Sequence, residues 1–395
     1  MNPELALLHP YPFEKIKQLL SSIEPASKAP IALSVGEPKH AAPQFVLDAL
    51  VEQLRLVETY PSTRGSDALR NSIANWLCQR FSLTNSEQLA ATHILPVNGT
   101  REALFAIAQC VLDRGSKQRD VLMPNPFYQI YEGATLLAGC NPRFYTISVN
   151  ADDDIDAISD EQFSTCQLLY LCNPGNPTGS VLSEASLAKL INKASKFNFT
   201  IVSDECYSEI YRESSGAPAG LLQAANNMGN NEFQHCLVFH SLSKRSNLPG
   251  MRSGFIAGDA TIIKQFLLYR TYHGCSMPPP VQHASTLAWQ DEKHVQQNRL
   301  AYDEKYEKVL PILKKVVDVS MPPAGFYLWP TLPVNDEVFT QSALQQQNVK
   351  VVPGSYLGRA VNGQNPGTNH VRLALVAPLN ECIEAAERLL AVLDN

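Results

Sequence analysis

Ser241, Ser243 and Lys244 stand within four residues of one another, Arg252 follows eight positions on, and Asp204 lies forty positions upstream. These side chains offer an amine that can condense with an aldehyde, hydroxyls and a guanidinium that can hold a phosphate, and a carboxylate that can face a protonated ring nitrogen. Together they are what an enzyme needs to hold pyridoxal 5'-phosphate. Singly they say less, since Lys244 alone reads as a solvated surface lysine and Asp204 alone as a helix N-cap. The acidic run Asp152, Asp153 and Asp154 has no second ligand cluster beside it. It reads as a solvated loop rather than a metal site.

The elements that must position these residues are legible as buried strands, each followed by a polar turn. Residues 93–97 lead into Asn98, Gly99, Thr100 and Arg101, then into the helical spacing of Ala103, Leu104, Ile107, Ala108 and Val111. A glycine and a hydroxyl at a helix N-terminus form an anion site, because free backbone N–H groups point outward there. Residues 121–123 lead into Phe127 and Tyr128, and residues 168–172 into the turn that holds Asn173 and Asn176. Residues 199–203 end at Asp204, with Tyr207 three positions later, and residues 237–240 end at Ser241 and Lys244. Apolar strands alternating with helical stretches predict an α/β fold, a mostly parallel sheet with helices on both faces, in which ligands bind beyond the carboxyl ends of the strands. All five motifs fall at that edge.

With these motifs in this order, the chain resembles the class I/II aminotransferases, the fold-type I enzymes of pyridoxal phosphate. The resemblance implies a mostly parallel central sheet flanked by helices, plus a smaller α+β domain. It implies that Lys244 bonds the cofactor aldehyde and carries the substrate proton, and that Asp204 keeps the pyridine nitrogen protonated. Tyr207 and Asn176 match the donors to the phenolic oxygen, and Tyr128, in competition with Phe127, the aromatic on the ring face. Ser241, Ser243, Arg252 and the Gly99-Thr100-Arg101 segment match the phosphate site. Arg372 matches the arginine that takes the substrate α-carboxylate in a bidentate fork, with Asn173 beside it and Gly36 closing over it. Tyr60 matches a tyrosine that reaches a neighbouring subunit's phosphate, which implies a homodimer; its plain reading is a core tyrosine beside a turn.

Length and composition agree. At 395 residues the chain exceeds the size at which single cores stop growing, so two domains are expected. The resemblance divides it into an N-terminal arm (1–40) that joins the small domain, a large cofactor domain (41–277) and a C-terminal small domain (278–395). A net charge of −6 without a basic cluster excludes a nucleic-acid surface. Nine cysteines with no C-x-x-C pair predict reduced thiols. With no basic leader and no apolar run near the roughly 18 residues of a membrane span, a cytoplasmic location is expected.

The substrate is the harder question, because shared cofactor motifs say nothing about the substrate side chain. The segments His9 to Lys15, Gly36 to His40, Ser243 to Asn247, Arg270 to Gly274 and Val352 to Leu357 resemble a narrower family, the proteobacterial N-succinyldiaminopimelate aminotransferases. The segment Pro322 to Tyr327 departs from many relatives before the aromatic pair. This likeness implies transfer of an amino group from N-succinyl-LL-2,6-diaminopimelate to 2-oxoglutarate, yielding glutamate. The distal carboxylate of that donor needs a second cation, and Arg64, Arg101, Arg245, Arg270 and Lys39 are the candidates. An aromatic or kynurenine aminotransferase and a carbon–sulfur β-lyase would share every cofactor residue. A cofactor-sensing regulator would need a DNA-reading module, for which too few residues precede Ile31.

Overall fold

The computed structural model describes residues 1–393. Seven strands pair into one sheet: β1 (Ile94–Val97), β2 (Asp120–Asn125), β3 (Asn141–Thr146), β4 (Cys166–Cys172), β5 (Thr200–Asp204), β6 (Cys236–Ser241) and β7 (Gly254–Gly258). Their order across the sheet is β1-β7-β6-β5-β4-β2-β3. Strands β2 to β6 are parallel wherever they meet. Only β7 runs against its neighbours, β1 and β6. The expected fold class, a mostly parallel sheet flanked by helices, is the one observed.

Apart from the edge strand β3, the strands read as near-continuous apolar runs because both faces are covered. Along β4, Leu168 and Tyr170 join one core with Val202, Leu237, Phe239 and Ile256. Leu169 and Leu171 point the other way, into a core with Ile201, Val238, Phe255 and Ala257. That two-residue alternation places one helical layer on each side of the sheet. The helix Thr100–Val111 buries Ala103, Leu104, Ile107 and Ala108 on one face. The helix Glu184–Phe197, capped by the Ser183 side chain, buries Leu187, Leu190 and Ile191 on the other.

A second core lies outside the sheet and draws on both ends of the chain. The strand Ile31–Ala32 pairs in parallel with Val349–Lys350. The strand Val371–Ala374 lies between Val352–Pro353 and Tyr327–Leu328, antiparallel to both. Ile31, Leu328, Val349, Leu373 and Leu389 close this core beneath the helices Lys293–Leu313, Asp336–Gln347 and Leu379–Leu393. The helix Pro279–Gln290 belongs elsewhere, for its Ala284, Ala288 and Trp289 pack with Ile73 and Trp76 in the core of the large sheet.

The acidic run is not a loop. Asp152, Asp153 and Asp154 form the first turn of a short helix, Ala151–Asp156, where carboxylates complement the free N–H groups and the positive end of the dipole. Asp152 also accepts from the Ser183 amide at 2.9 Å. Among the described residues no group of three or more His, Cys, Asp or Glu could hold a metal ion, and no helix is long and apolar enough to cross a membrane.

Candidate active site

The carboxyl ends of β1, β2, β4, β5 and β6 open on one cleft of about 540 Å³ between the two cores, large enough for a cofactor and a small amino acid together. Because β7 is antiparallel, it begins at that edge rather than ending there: Gly254 lies opposite Ser241. Arg252, two residues before β7, therefore arrives beside the end of β6. Its guanidinium rests against Gly99, whose φ of +85° suits glycine and where a Cβ would overlap the arginine. Around it the Ser241 hydroxyl donates to Ser243 Oγ at 2.9 Å and accepts from the Ser243 amide at 3.0 Å. Thr100 opens the helix behind Gly99. Hydroxyls, a guanidinium and a helix N-terminus make a cradle for a phosphate.

Asp204 ends β5 almost fully buried and faces the cleft. Its Oδ2 accepts from the Tyr131 hydroxyl at 2.9 Å and its Oδ1 from the Cys206 amide at 3.3 Å. Burial nevertheless pushes the carboxyl above the usual carboxylate range, against these donors. A buried acid in this condition is complementary to a ring N–H⁺, which returns the charge stabilisation that burial removes. Lys244 lines the same cleft, half-buried, with Nζ donating to the Gly36 carbonyl oxygen and lying 5.4 Å from the centre of the Phe326 ring. Burial brings its amine down to about 8, with Cys206 opposing the fall and Arg372 adding to it.

Tyr207 and Tyr327 share a hydrogen bond at 3.0 Å between their hydroxyls. The Tyr128 hydroxyl accepts from Arg101 Nε at 2.6 Å, and burial pushes that hydroxyl well above its ordinary pKa. Arg372 donates from Nη1 to Asn176 Oδ1 at 3.1 Å and from Nη2 to the Ser34 carbonyl at 2.9 Å, with its guanidinium 4.5 Å from the centre of the Tyr327 ring. Its buried Nε has no partner. A Cβ at position 36 would run into the Tyr327 hydroxyl, so only glycine lets that segment lie so close.

The structure thus brings Gly36, Gly99, Thr100, Arg101, Tyr128, Asn176, Asp204, Tyr207, Ser241, Ser243, Lys244, Arg252 and Arg372 to one place. Two expected residues lie apart. Asn173 donates from Nδ2 to the Ala219 carbonyl at 3.0 Å and accepts from the Leu182 amide at 2.9 Å, so its amide ties the end of β4 to two backbone segments. Tyr60 projects fully into solvent. Conversely, Tyr131 and Cys206 beside Asp204, and Tyr327 beside Arg372, were not singled out by their types or spacing.

Residues 28–389 match the family described as aminotransferase class I and II, and the chain belongs to it. Enzymes of this class use pyridoxal 5'-phosphate, and the cradle, the buried acid and the amine described above fit that group. The chain is 44% identical to an aminotransferase from Neisseria meningitidis of known structure, with a TM-score of 0.93 over 100% of both chains. A solved aminotransferase from Helicobacter pylori is 33% identical, with a TM-score of 0.89 over 98% of this chain and 99% of the other. An LL-diaminopimelate aminotransferase of Desulforudis audaxviator is 28% identical over 97% of this chain and 95% of its own length.

Proposed function

We propose that this aminotransferase takes the amino group of N-succinyl-LL-2,6-diaminopimelate and passes it to 2-oxoglutarate, forming N-succinyl-2-amino-6-oxopimelate and glutamate. The observation that carries this reading is the placement of a second cation. Of the five candidates for the distal carboxylate, Arg101 alone lines the cleft. Arg245 and Arg270 are buried against Glu292 and Glu102, and Arg64 donates to the Ala91 carbonyl. Lys39 is exposed outside the cleft wall. Arg101 binds a tyrosine hydroxyl rather than a carboxylate, so its charge is free to meet one, and the donor presents carboxylates at both ends. The relatives that bear the name LL-diaminopimelate aminotransferase support the same substrate class.

Bound pyridoxal phosphate supplies an aldehyde carbon and a ring that accepts the electron pair left at the substrate Cα. The chain's part is to bind, orient and move a proton. Arg372 takes the α-carboxylate and thereby aims the Cα–H bond at Lys244. Lys244 Nζ, already shifted toward its neutral form, would take that proton and return it to the cofactor's aldehyde carbon, on the far side of the substrate nitrogen. Asp204 holds the proton on the ring nitrogen, while Tyr207 and Asn176 donate to the phenolic oxygen. Tyr128 covers one ring face. Ser241, Ser243, Arg252 and the backbone at Gly99, Thr100 and Arg101 hold the phosphate. Asn173 acts through the turn rather than by touching substrate.

A second reading has its own observation. Glu37 lines the cleft and is exposed, and a carboxylate there suits the distal ammonium of unsuccinylated LL-diaminopimelate. Measured kcat/KM for the two donors, for aromatic amino acids and for kynurenine decides among these readings. We expect the succinylated donor to lead, and an aromatic donor in first place overturns the proposal. Pyruvate release from cystathionine would mark a β-lyase.

The same reading extends to assembly and location. Tyr60 sits on a surface where Val51, Leu54 and Val57 are also exposed, an apolar face suited to a second copy in a homodimer. The same reading divides the chain into an arm (1–40), a large domain (41–277) and a small domain (278–395), except that the helix Pro279–Gln290 packs with the large domain's core. Nine free cysteines suit the cytoplasm.

A further inference from the structure

Lys244 lies in a single helical turn, Leu242–Arg245, which has no following turn to receive its last carbonyl groups. They are received from elsewhere. Asn298, in the long helix Lys293–Leu313, donates its Nδ2 to the Lys244 carbonyl at 3.2 Å and to the Arg245 carbonyl at 3.5 Å. Carbonyl oxygens only accept, so the amide nitrogen of Asn298 must face them and its Oδ1 must face away. That oxygen accepts from Asn247 Nδ2 at 3.1 Å and lies 2.8 Å from His40 Nδ1. An amide oxygen carries no proton, so His40 must carry one on Nδ1.

The other nitrogen of His40 is then bare. His40 Nε2 is buried with no partner, and the ring lies 4.5 Å from that of Tyr302. Burial keeps the imidazole below its ordinary pKa. His40 is four residues beyond Gly36, whose carbonyl accepts from Lys244 Nζ. Both ends of Lys244 are therefore referred to one short segment: the amine directly to Gly36, the backbone through Asn298 to His40.

We propose that Asn298, oriented by His40, is a positioning residue that fixes the Lys244 backbone so that its amine reaches the reacting carbon. This rests on Lys244 being the cofactor lysine. A lone turn has little rigidity of its own, and a displacement of about 1 Å at a proton carrier costs on the order of a hundredfold in rate. Neither His40 nor Asn298 lines the cleft, so loss of the pair should act on kcat rather than on donor binding.

The test uses four variants. Asn298→Asp keeps an acceptor for His40 and Asn247 but removes the donor to Lys244, and Asn298→Ala removes both. His40→Leu removes the donor to Asn298, whereas His40→Asn places an N–H near the former Nδ1. We expect Asn298→Asp and Asn298→Ala to lower kcat by about 10- to 100-fold with KM within about threefold, and His40→Asn to recover most of what His40→Leu loses. In the cofactor-free protein, the pH midpoint for acylation of Lys244, read by mass spectrometry, should move in Asn298→Asp. Unchanged kcat and midpoint in Asn298→Asp overturn the proposal, as does a His40→Asn no better than His40→Leu. The His40 pair decides the matter even if the Asn298 variants fold poorly. Borohydride trapping in the parent enzyme reports on the lysine itself, so an error there leaves a different signature from an error about Asn298.

Discussion

At the scale of single residues the lining of the cleft was legible wherever a side chain type was rare for its setting. A lysine and an aspartate directly after apolar strands have few structural uses, and Lys244 and Asp204 both face the cleft. If Lys244 carries both the cofactor bond and the substrate proton, Lys244→Ala should lose turnover by several orders of magnitude, and borohydride should leave the pyridoxyl group on Lys244 in the parent. A label on another lysine refutes that role. Arg372→Ala should cost about 2 to 5 kcal/mol in kcat/KM for both amino donors, because both share the α-carboxylate. Arg101→Ala should instead penalise the succinylated donor and glutamate unequally. Tyr131 was illegible because nothing in a tyrosine at a helix start marks it as the donor to an aspartate 73 positions away. Tyr131→Phe leaves a buried Asp204 oxygen short of a donor, at a cost of about 1 to 3 kcal/mol, which spectra of the bound cofactor and kcat should both register.

At the scale of elements, five of the seven sheet strands were readable because burial on both faces forces continuous apolar runs, and their ends fell within a residue or two of the observed ones; Asn141–Thr146, a largely exposed edge strand, and the antiparallel Gly254–Gly258 were not. What sequence could not resolve was which polar groups at a strand end serve the backbone. Asn173 reads as a substrate contact in the sequence, yet its side chain meets two backbone groups, the Leu182 amide after β4 and the Ala219 carbonyl ahead of the helix Leu221–Asn227. The acidic run at 152–154 looked like a loop because its helix is only six residues long, too short for a periodic signal. The glycine at the head of the helix Thr100–Val111 was legible in the sequence, but the close approach of Arg252 to it needed three dimensions. Gly99→Ala should weaken cofactor binding by about tenfold or more, since it adds backbone strain at φ +85° to a clash with the arginine. Equilibrium titration with pyridoxal phosphate measures it, with Gly229→Ala as control, a positive-φ glycine in open space away from the cleft.

Across the whole molecule, a buried lysine couples folding to pH. Lys305 is buried, donates to the Leu375 and Val376 carbonyls at 3.1 and 3.4 Å, and is brought by burial to about 8. An unfolded lysine keeps its proton to about 10.4. Between those values the unfolded chain binds the extra proton, so this group's contribution to stability rises with pH across that window and is flat below it. Comparing Lys305→Met with the parent removes the opposing titration of thiols and tyrosines: the difference in Tm should shift in the parent's favour from pH 8 to pH 10. A constant difference contradicts the shift. Assembly is the other property at this scale. If Tyr60 serves a second copy, Tyr60→Phe should weaken cofactor binding while sedimentation still reports a dimer, and an active monomer at assay concentration would remove that role.

The reversal of β7 bears on how such a chain can vary. Neighbouring antiparallel strands meet at the same sheet edge, so the chain that leaves β6 and enters β7 never crosses the molecule. One unbroken stretch, from Ser241 to Arg252, delivers both the amine and the guanidinium to the cleft. Its length is then a ruler: the number of residues between the two sets their spacing, whereas helix-bearing crossovers elsewhere in the sheet absorb added length at their far end. A single residue inserted between Asn247 and Pro249 should therefore uncouple phosphate binding from lysine chemistry, while one inserted at the exposed Gly229 should be tolerated.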